Sequence, residues 1–508
     1  MIFQFSGEMP PFTSKYLFLM PLDFKGNDTQ FRRILKALNA LRKQKELLKM
    51  LVDPRSRIRD SHDVLDQNTS FLDLDEPKKT AILEMTSTMP IYLVQGPPGV
   101  GKTKLVGELV RRRFQLDNTS RILLSAQSNP AVDHLMEELE SILQQNDTDR
   151  PLIVRSVPKE PSGKTKLFSA KSQAVELVKK LSTSKLSSNL PASLLNKLDD
   201  LNLVSLESEE SESSTTISQG RSANQAYRHI ERSQFDWTIV EEAGKATGSE
   251  LVSPLLLSHR RLMIGDHKQL PAFSAEKLEK LLISPESVEQ LLTLSREILG
   301  VGYKDSTIDE IFDEVESNDS SDFPKLCSES IRLLTLFENT IEKEFDRKRK
   351  QPNKRSIATK LTEQHRMHPT IATLVSSTFY DDDLDTHPDC IERFNTSSPP
   401  FDSINATLIP KSPIVLVDMP YIQSQLNQKV GESHPRWTNN KEVDATIEVL
   451  KLLKAKSTEN NPPTLALLSP YNQQRIKLSQ AITSLVDANG LLNGFRSSVS
   501  PSVFCHTV

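Results

Sequence analysis

Eight consecutive residues, Gly96 to Thr103, read GPPGVGKT and follow directly on the apolar run IYLV. The spacing is G-x-x-x-x-G-K-[ST], and each fixed residue type has a chemical task. Glycines let the backbone curl closely enough for successive N–H groups to face phosphate oxygens, with a helix N-terminus behind them. In such a loop Gly96, Pro97, Pro98, Gly99, Val100 and Gly101 wrap the phosphates, Lys102 reaches the terminal ones with Lys104 beside it, and Thr103 holds Mg²⁺. A chance match to the fixed positions in a chain of 508 residues is on the order of one per cent. A merely glycine-rich turn competes poorly with a nucleoside-triphosphate site.

The stretch FDWTIVEEAGKA, 235–246, ends an apolar run on Glu241 and Glu242. Two negative charges at the end of a buried strand are costly unless a cation meets them. Beside a phosphate loop, Glu241 fits a ligand of the magnesium shell, and Glu242 fits a base for the attacking water's proton. The competing reading is a carboxylate pair opening a helix, stabilised by its dipole. A third stretch, GDHKQLPA (265–272), ends another β-like run. Its Asp266 and Gln269 carry hydrogen-bonding groups suited to sensing a terminal phosphate.

These groups need rigid supports. IYLVQG, RILLSAQSN, WTIVEEA and RLMIGD are short β-rich runs, each followed by a turn and a helical pattern. Continuous apolar strands of this kind are buried on both faces, as in a parallel α/β sheet. Residues 29–51 place Phe31, Ile34, Leu35, Leu38, Leu41, Leu48 and Leu51 at helical spacing, which predicts a helix packed on the domain behind it. A polar insert covers about 156–232, with the acidic, serine-rich tract SLESEESESSTT, and a second acidic region covers about 304–323. The basic run RKRKQPNKR (347–355) reads as a solvated interdomain linker. SPIVLVDM and PTLALLSPY are the clearest strands of a second α/β set.

A chain of 508 residues has room for two or three domains. A net charge of −4 excludes a globally basic nucleic-acid coat but leaves room for a local basic channel. Cys327, Cys390 and Cys505 lie far apart with no CxxC pair, so neither a disulfide framework nor a zinc site is indicated. The N-terminus lacks the basic n-region of a signal peptide, and no apolar run approaches the ~20 residues needed to span a bilayer. An intracellular location, cytoplasmic or nuclear, with no membrane partner is expected.

Taken in order and rough spacing, GPPGVGKT, ILLSAQSNPAVDHL, VEEAGKA, GDHKQLPA, LTEQHRMHP and LLSPYNQQ resemble the motifs of superfamily 1 helicases. The resemblance is to the up-frameshift and senataxin-like branch and covers about 71–508. It implies an α/β P-loop NTPase with two RecA-like domains of parallel strands, ATP and Mg²⁺ in the cleft between them, single-stranded RNA or DNA across their tops, and 5′→3′ polarity. The domain plan it implies is an N-terminal helical or stalk segment (1–70), a first RecA-like domain (71–345), a basic linker (346–356) and a second RecA-like domain (357–508). Residue by residue, Ser128 and Asn129 look like nucleic-acid backbone contacts, and Gln269 would couple nucleotide state to that path. Arg366 of QHRM would reach the γ-phosphate, where an always-charged planar fork suits an anionic transition state. His365 would stack on the base. Pro470, Tyr471 and Gln474 of SPYNQQ would lie near the nucleic acid, with Tyr471 either stacking on a base or packed in the core.

Four positions depart from the family pattern. Lys78 stands where a glutamine reads adenine, Glu241 replaces the strand-end aspartate, Lys245 replaces a glutamine, and His365 replaces a tyrosine. The family also continues past SPYNQQ into DSFQG.E and ALTRA motifs, the latter with a second arginine, whereas this sequence runs only to SVFCHTV. On that comparison the second domain is expected to be incomplete and the 508 residues alone to bind ATP·Mg²⁺ but hydrolyse it slowly. Two functional readings follow: an ATP-dependent helicase or translocase, or a catalytically impaired ATP- and nucleic-acid-binding scaffold.

Overall fold

The computed structural model describes residues 25–60, 74–143, 151–155, 168–184, 235–272, 275–291, 323–418, 438–456, 462–489 and 505–507, with a few short stretches between them. The acidic serine-rich tract, most of the polar insert and nearly all of the second acidic region lie outside the described residues. The chain divides into two compact units, Met1–Thr362 and Glu363–Val508.

The first unit is built on five parallel strands: β1 (Ile91–Gln95), β2 (Ile122–Ala126), β3 (Phe235–Glu241), β4 (Ser258–Gly265) and β5 (Ala358–Lys360). Their order across the sheet is β2-β3-β4-β1-β5. The chain leaves β1 for the far edge at β2, works back through β3 and β4, then crosses β1 to β5. Strand order therefore reverses at the β1–β4 seam, where open α/β sheets form their ligand crevice. Register sets Gln95 beside Gly265 and Ala126 beside Glu241, so the turns after all four strands emerge along one edge.

Helices cover the sheet, which is why β1 is buried along its whole length. The described helices of this unit include α1 (Lys25–Lys43), α2 (Lys45–Val52), α3 (Glu76–Ser87), α4 (Lys102–Leu116), α5 (Asn129–Leu143), α6 (Ala170–Thr183), α7 (Gly248–Leu255), α8 (Ala275–Leu282), α9 (Phe323–Leu334) and α10 (Leu336–Lys350). The single helix expected over 29–51 is two, because Gln44 leaves helical geometry (φ −100, ψ 70). Leu41 of α1 and Leu47, Met50 and Leu51 of α2 share one core with Ile91, Leu93, Val252 and Ile341.

The basic run expected as a linker is structured. Arg347 to Lys350 form the last turn of α10, where cations offset the helix dipole. Arg355 then donates to the Ser87 carbonyl and to Thr88 Oγ1, and Ala358–Lys360 pairs with β1. The segment expected to open the second domain thus completes the first sheet, covering an edge of β1 that would otherwise stay unpaired. Glu344 anchors the arrangement. It is buried and accepts from Arg55 through two nitrogens, from Ser356 Oγ at 3.5 Å and from the Ile357 N–H at 3.4 Å.

In the second unit the described strands form pairs rather than one sheet. These include β6 (Glu363–Gln364) with β7 (Asp385–Thr386), β8 (Phe401–Ser403) with β9 (Leu453–Ala455), β10 (Thr464–Leu465) with β12 (Arg496–Ser497), and β11 (Leu467–Ser469) with β13 (Cys505–Thr507). Helices α11 (Pro369–Phe379) and α12 (Pro388–Thr396) pack with each other, α11 also against β7, while α13 (Asn440–Lys451) and α14 (Asn472–Asn489) enclose a small core of Val443, Leu450, Leu478, Ile482 and Cys505. Of the two strands expected there, PTLALLSPY supplies β10 and β11, but SPIVLVDM forms none among the described residues. Its polar groups bond locally, as Ser412 Oγ does to the Ile414 carbonyl, and Leu416 stands 90% exposed. No helix among the described residues is long and apolar enough to cross a membrane.

Glu344→Ala would leave Arg55 and the Ile357 N–H without their carboxylate. The expected cost is about 3 kcal/mol, as for breaking a buried ion pair. Chemical unfolding would show it as a lowered denaturation midpoint.

Candidate active site

β1 runs into the phosphate loop, held against β4 by the Gly96 N–H donating to the Gly265 carbonyl at 2.9 Å. The loop enters α4 through Gly101 at φ 74, a left-handed conformation that a side chain would strain. No side chain caps α4, so its first-turn N–H groups and dipole face the loop. Lys102 folds back over it, donating to the Gly96 carbonyl at 2.6 Å and approaching that of Pro97 at 3.4 Å. The Thr103 hydroxyl group is half-buried on the same turn, and Lys104 is exposed. Val100, expected among the wrapping residues, turns its side chain into the core, leaving only its backbone for a ligand.

Glu241 closes β3 in a buried position, and its Oε1 has no hydrogen-bond partner. Burial pushes its carboxyl up to about 7; the Lys102 ammonium pulls the other way and Glu242 adds to the rise. Glu242 sits at φ 54, a conformation that non-glycine residues hold mainly where the site requires it. Both of its oxygens are met. Ser128 Oγ donates to Oε2 at 3.1 Å, and Lys245 Nζ donates to Oε1 at 2.8 Å. Lys245, standing where the family has glutamine, thus pairs with the expected base. Its i, i+3 spacing from Glu242 is the trace such a pair leaves in sequence.

The third turn is equally tied. Buried Asp266 accepts from the Lys268 N–H at 3.2 Å and from Gln269 Nε2 at 2.8 Å, so the Gln269 amide is held at the strand end. His267 Nε2 lies 2.6 Å from Glu342 on α10, a link that no motif announces. The turns after β3 and β4 meet backbone to backbone. A Cβ on Gly244 would stand 2.7 Å from the Asp266 carbonyl, and one on Gly265 would stand 2.5 Å from the Gly244 nitrogen.

The residues present fit a triphosphate with Mg²⁺. The loop offers N–H groups and an ammonium. For a hard cation there are oxygen donors in the Thr103 hydroxyl and the unpartnered Glu241 oxygen. Lys78, which occupies the place of the adenine-reading glutamine, is buried beside Gly101 and pairs with Asp75, the N-cap of α3.

On the expected nucleic-acid path, the Ser128 hydroxyl is engaged with Glu242, while exposed Asn129 accepts from Arg155 at 3.0 Å. In the second unit, buried Gln364 accepts from the N–H groups of Arg366 (2.8 Å) and Met367 (2.6 Å) and donates to Thr386 Oγ1 (3.0 Å). It thereby fixes the turn on which Arg366 stands exposed. One ring face of His365 is taken by His387, at 4.4 Å between centroids. Pro470 and Tyr471 are exposed. Gln474 is not: it is buried, accepting from the Asn439 N–H at 2.8 Å and donating to that residue's carbonyl at 3.0 Å. The amide expected to face nucleic acid instead satisfies backbone at the start of α13.

A phosphate loop on a central parallel strand, with acids closing β3 on the far side of β4, defines a P-loop NTPase of RecA-like fold. Comparison with known proteins agrees. One AAA-domain family model matches 73–229 and 213–277, and a second matches 334–507. Mouse probable helicase senataxin (Mus musculus) is 24% identical over 90% of this chain, and rat DNA-binding protein SMUBP-2 (Rattus norvegicus) is 25% identical over 48%. An uncharacterized ATP-dependent helicase of Methanocaldococcus jannaschii is 29% identical over 23% of the chain. The chain belongs to the superfamily 1 helicases, in the up-frameshift and senataxin-like branch. It spans 18% of the length of senataxin and of the archaeal helicase, and 27% of SMUBP-2.

Glu241 makes stability depend on pH. Its carboxyl titrates near 4.5 when unfolded and at about 7 when folded, so the unfolded chain gives up its proton first as pH rises. Stability without ligand is therefore highest below the lower value, falls between the two and stays low above the upper. The penalty is on the order of 3 kcal/mol. Glu241→Gln is expected to remove it, raising the unfolding free energy at about pH 8 and leaving it nearly unchanged at about pH 4. Melting curves at both pH values check this.

Proposed function

We propose that this chain supplies the ATP-hydrolysing machinery of a helicase or translocase that moves 5′→3′ on single-stranded RNA or DNA. The observation that carries the reading is the buried, unpartnered Glu241 oxygen beside Lys102 at the carboxyl edge of a parallel sheet. Lys102 and the loop N–H groups would hold the phosphates, and Thr103 with Glu241 would hold Mg²⁺, which when bound supplies charge neutralisation at the phosphoryl oxygens. Glu242 takes the water's proton, and Gln269 senses the terminal phosphate from its anchor on Asp266. Arg366 has the chemistry to stabilise transition-state charge. The direction and the strand rest on the order of the motifs and on relatives named as helicases and as a DNA-binding protein.

One observation favours a second reading, an ATP- and nucleic-acid-binding scaffold of low turnover. Glu242 already has a donor on each oxygen.

Strand-stimulated ATP hydrolysis separates the two. Lys102→Ala is expected to abolish both nucleotide binding and turnover. Glu242→Gln should still bind ATP while hydrolysis falls by roughly 10²-fold or more. Turnover that survives Lys102→Ala would sink the assignment of the loop, and an already negligible rate that Glu242→Gln does not lower would favour the scaffold.

A further inference from the structure

We propose that Lys245 is a cationic latch on Glu242, released when the phosphate backbone of a bound single strand draws the ammonium away. The proposal deepens the reading of this site as a strand-dependent ATPase and rests on it.

The latch is set by local structure. Glu242 and Lys245 bracket one tight turn, closed by the Lys245 N–H donating to the Glu242 carbonyl at 2.8 Å. That turn brings Nζ to 2.8 Å from Oε1. The two partners differ in exposure: the Lys245 side chain is 40% exposed and that of Glu242 23%. The ammonium is thus the member of the pair that solvent, or a polyanion, can reach.

The other carboxylate oxygen is held by Ser128, which also accepts from the Ala131 N–H at 3.3 Å in the first turn of α5. Asn129, the next residue, is exposed. One carboxylate therefore joins two donors, one on the β2–α5 turn and one on Lys245. A phosphodiester settling at Ser128 and Asn129 comes within the span of that carboxylate from the lysine. Lysine suits the exchange, being a compact charge on a flexible stem rather than a rigid fork. Release of counterions from the strand favours its transfer to phosphate. With Nζ gone, Oε1 is free to accept a proton from water. Without a strand the base stays neutralised, so ATP is not hydrolysed idly. A glutamine at this position carries no charge and cannot hold Glu242 in the same way.

The test uses the whole chain, with single-stranded oligo-dT and oligo-rU as separate arms that show which backbone is read. Lys245→Gln is expected to raise strand-free ATP hydrolysis about fivefold, the scale of a partly exposed ion pair, with KM for ATP unchanged and stimulation by strand reduced to match. Lys245→Arg, which keeps the charge, should restore the low strand-free rate. A second readout needs no hydrolysis: for whichever oligonucleotide binds, Lys245→Gln should flatten the slope of log affinity against log salt by about 0.7, one phosphate contact. A strand-free rate no higher than wild type, or an unchanged salt slope, overturns the latch. Wild-type protein with no strand-stimulated hydrolysis would instead count against the functional reading, and the salt slope would still decide the role of Lys245.

Discussion

One oxygen of Glu241 is buried with no donor to meet it, and the rest of the first unit is organised around that unmet demand. Buried polar atoms are nearly always satisfied, so a folded chain that leaves a carboxylate oxygen bare at a strand end points to a ligand there. The parallel sheet makes the placement possible, because its register lines up the ends of four strands along one edge. The cation that partly offsets the charge, Lys102, is delivered by the helix that the glycine turn launches. Strand order, turn chemistry and helix start all serve one buried carboxylate.

Much of this was legible in the residues. The strand–loop–helix around 91–116 carries its own punctuation, and two acids after an apolar run cannot be hidden cheaply. What escaped was the direction of side chains. Val100 lies inside a phosphate-loop pattern yet packs in the core, because the pattern specifies backbone geometry rather than the facing of each residue. The pairing of Glu242 with Lys245 depends on a left-handed backbone at Glu242, which its residue type does not announce. The basic run near 350 is solvated as its charge suggests, but it ends a helix instead of linking domains, and the short strand after it completes the sheet as β5. SPIVLVDM shows the converse. Its β-rich composition predicts a strand, but strand formation depends on a partner as much as on propensity.

The second unit uses glutamine in a way that sequence cannot distinguish from recognition. Gln364 and Gln474 are both buried, and each amide accepts a backbone N–H and donates to a backbone carbonyl. Such a carboxamide mimics a missing stretch of main chain and fixes a turn without adding charge. Nearby, Arg366 is left exposed on the turn that Gln364 holds, which separates the residue that positions from the residue that acts.

Gly244 and Gly265 bring the turns after β3 and β4 together with no side chain between them. Side chains are the compliant part of a protein interior, since they change rotamer before the backbone yields. A seam made only of main chain has no such cushion. A shift of the turn that holds Glu242 therefore bears directly on the turn that holds Gln269, main chain against main chain.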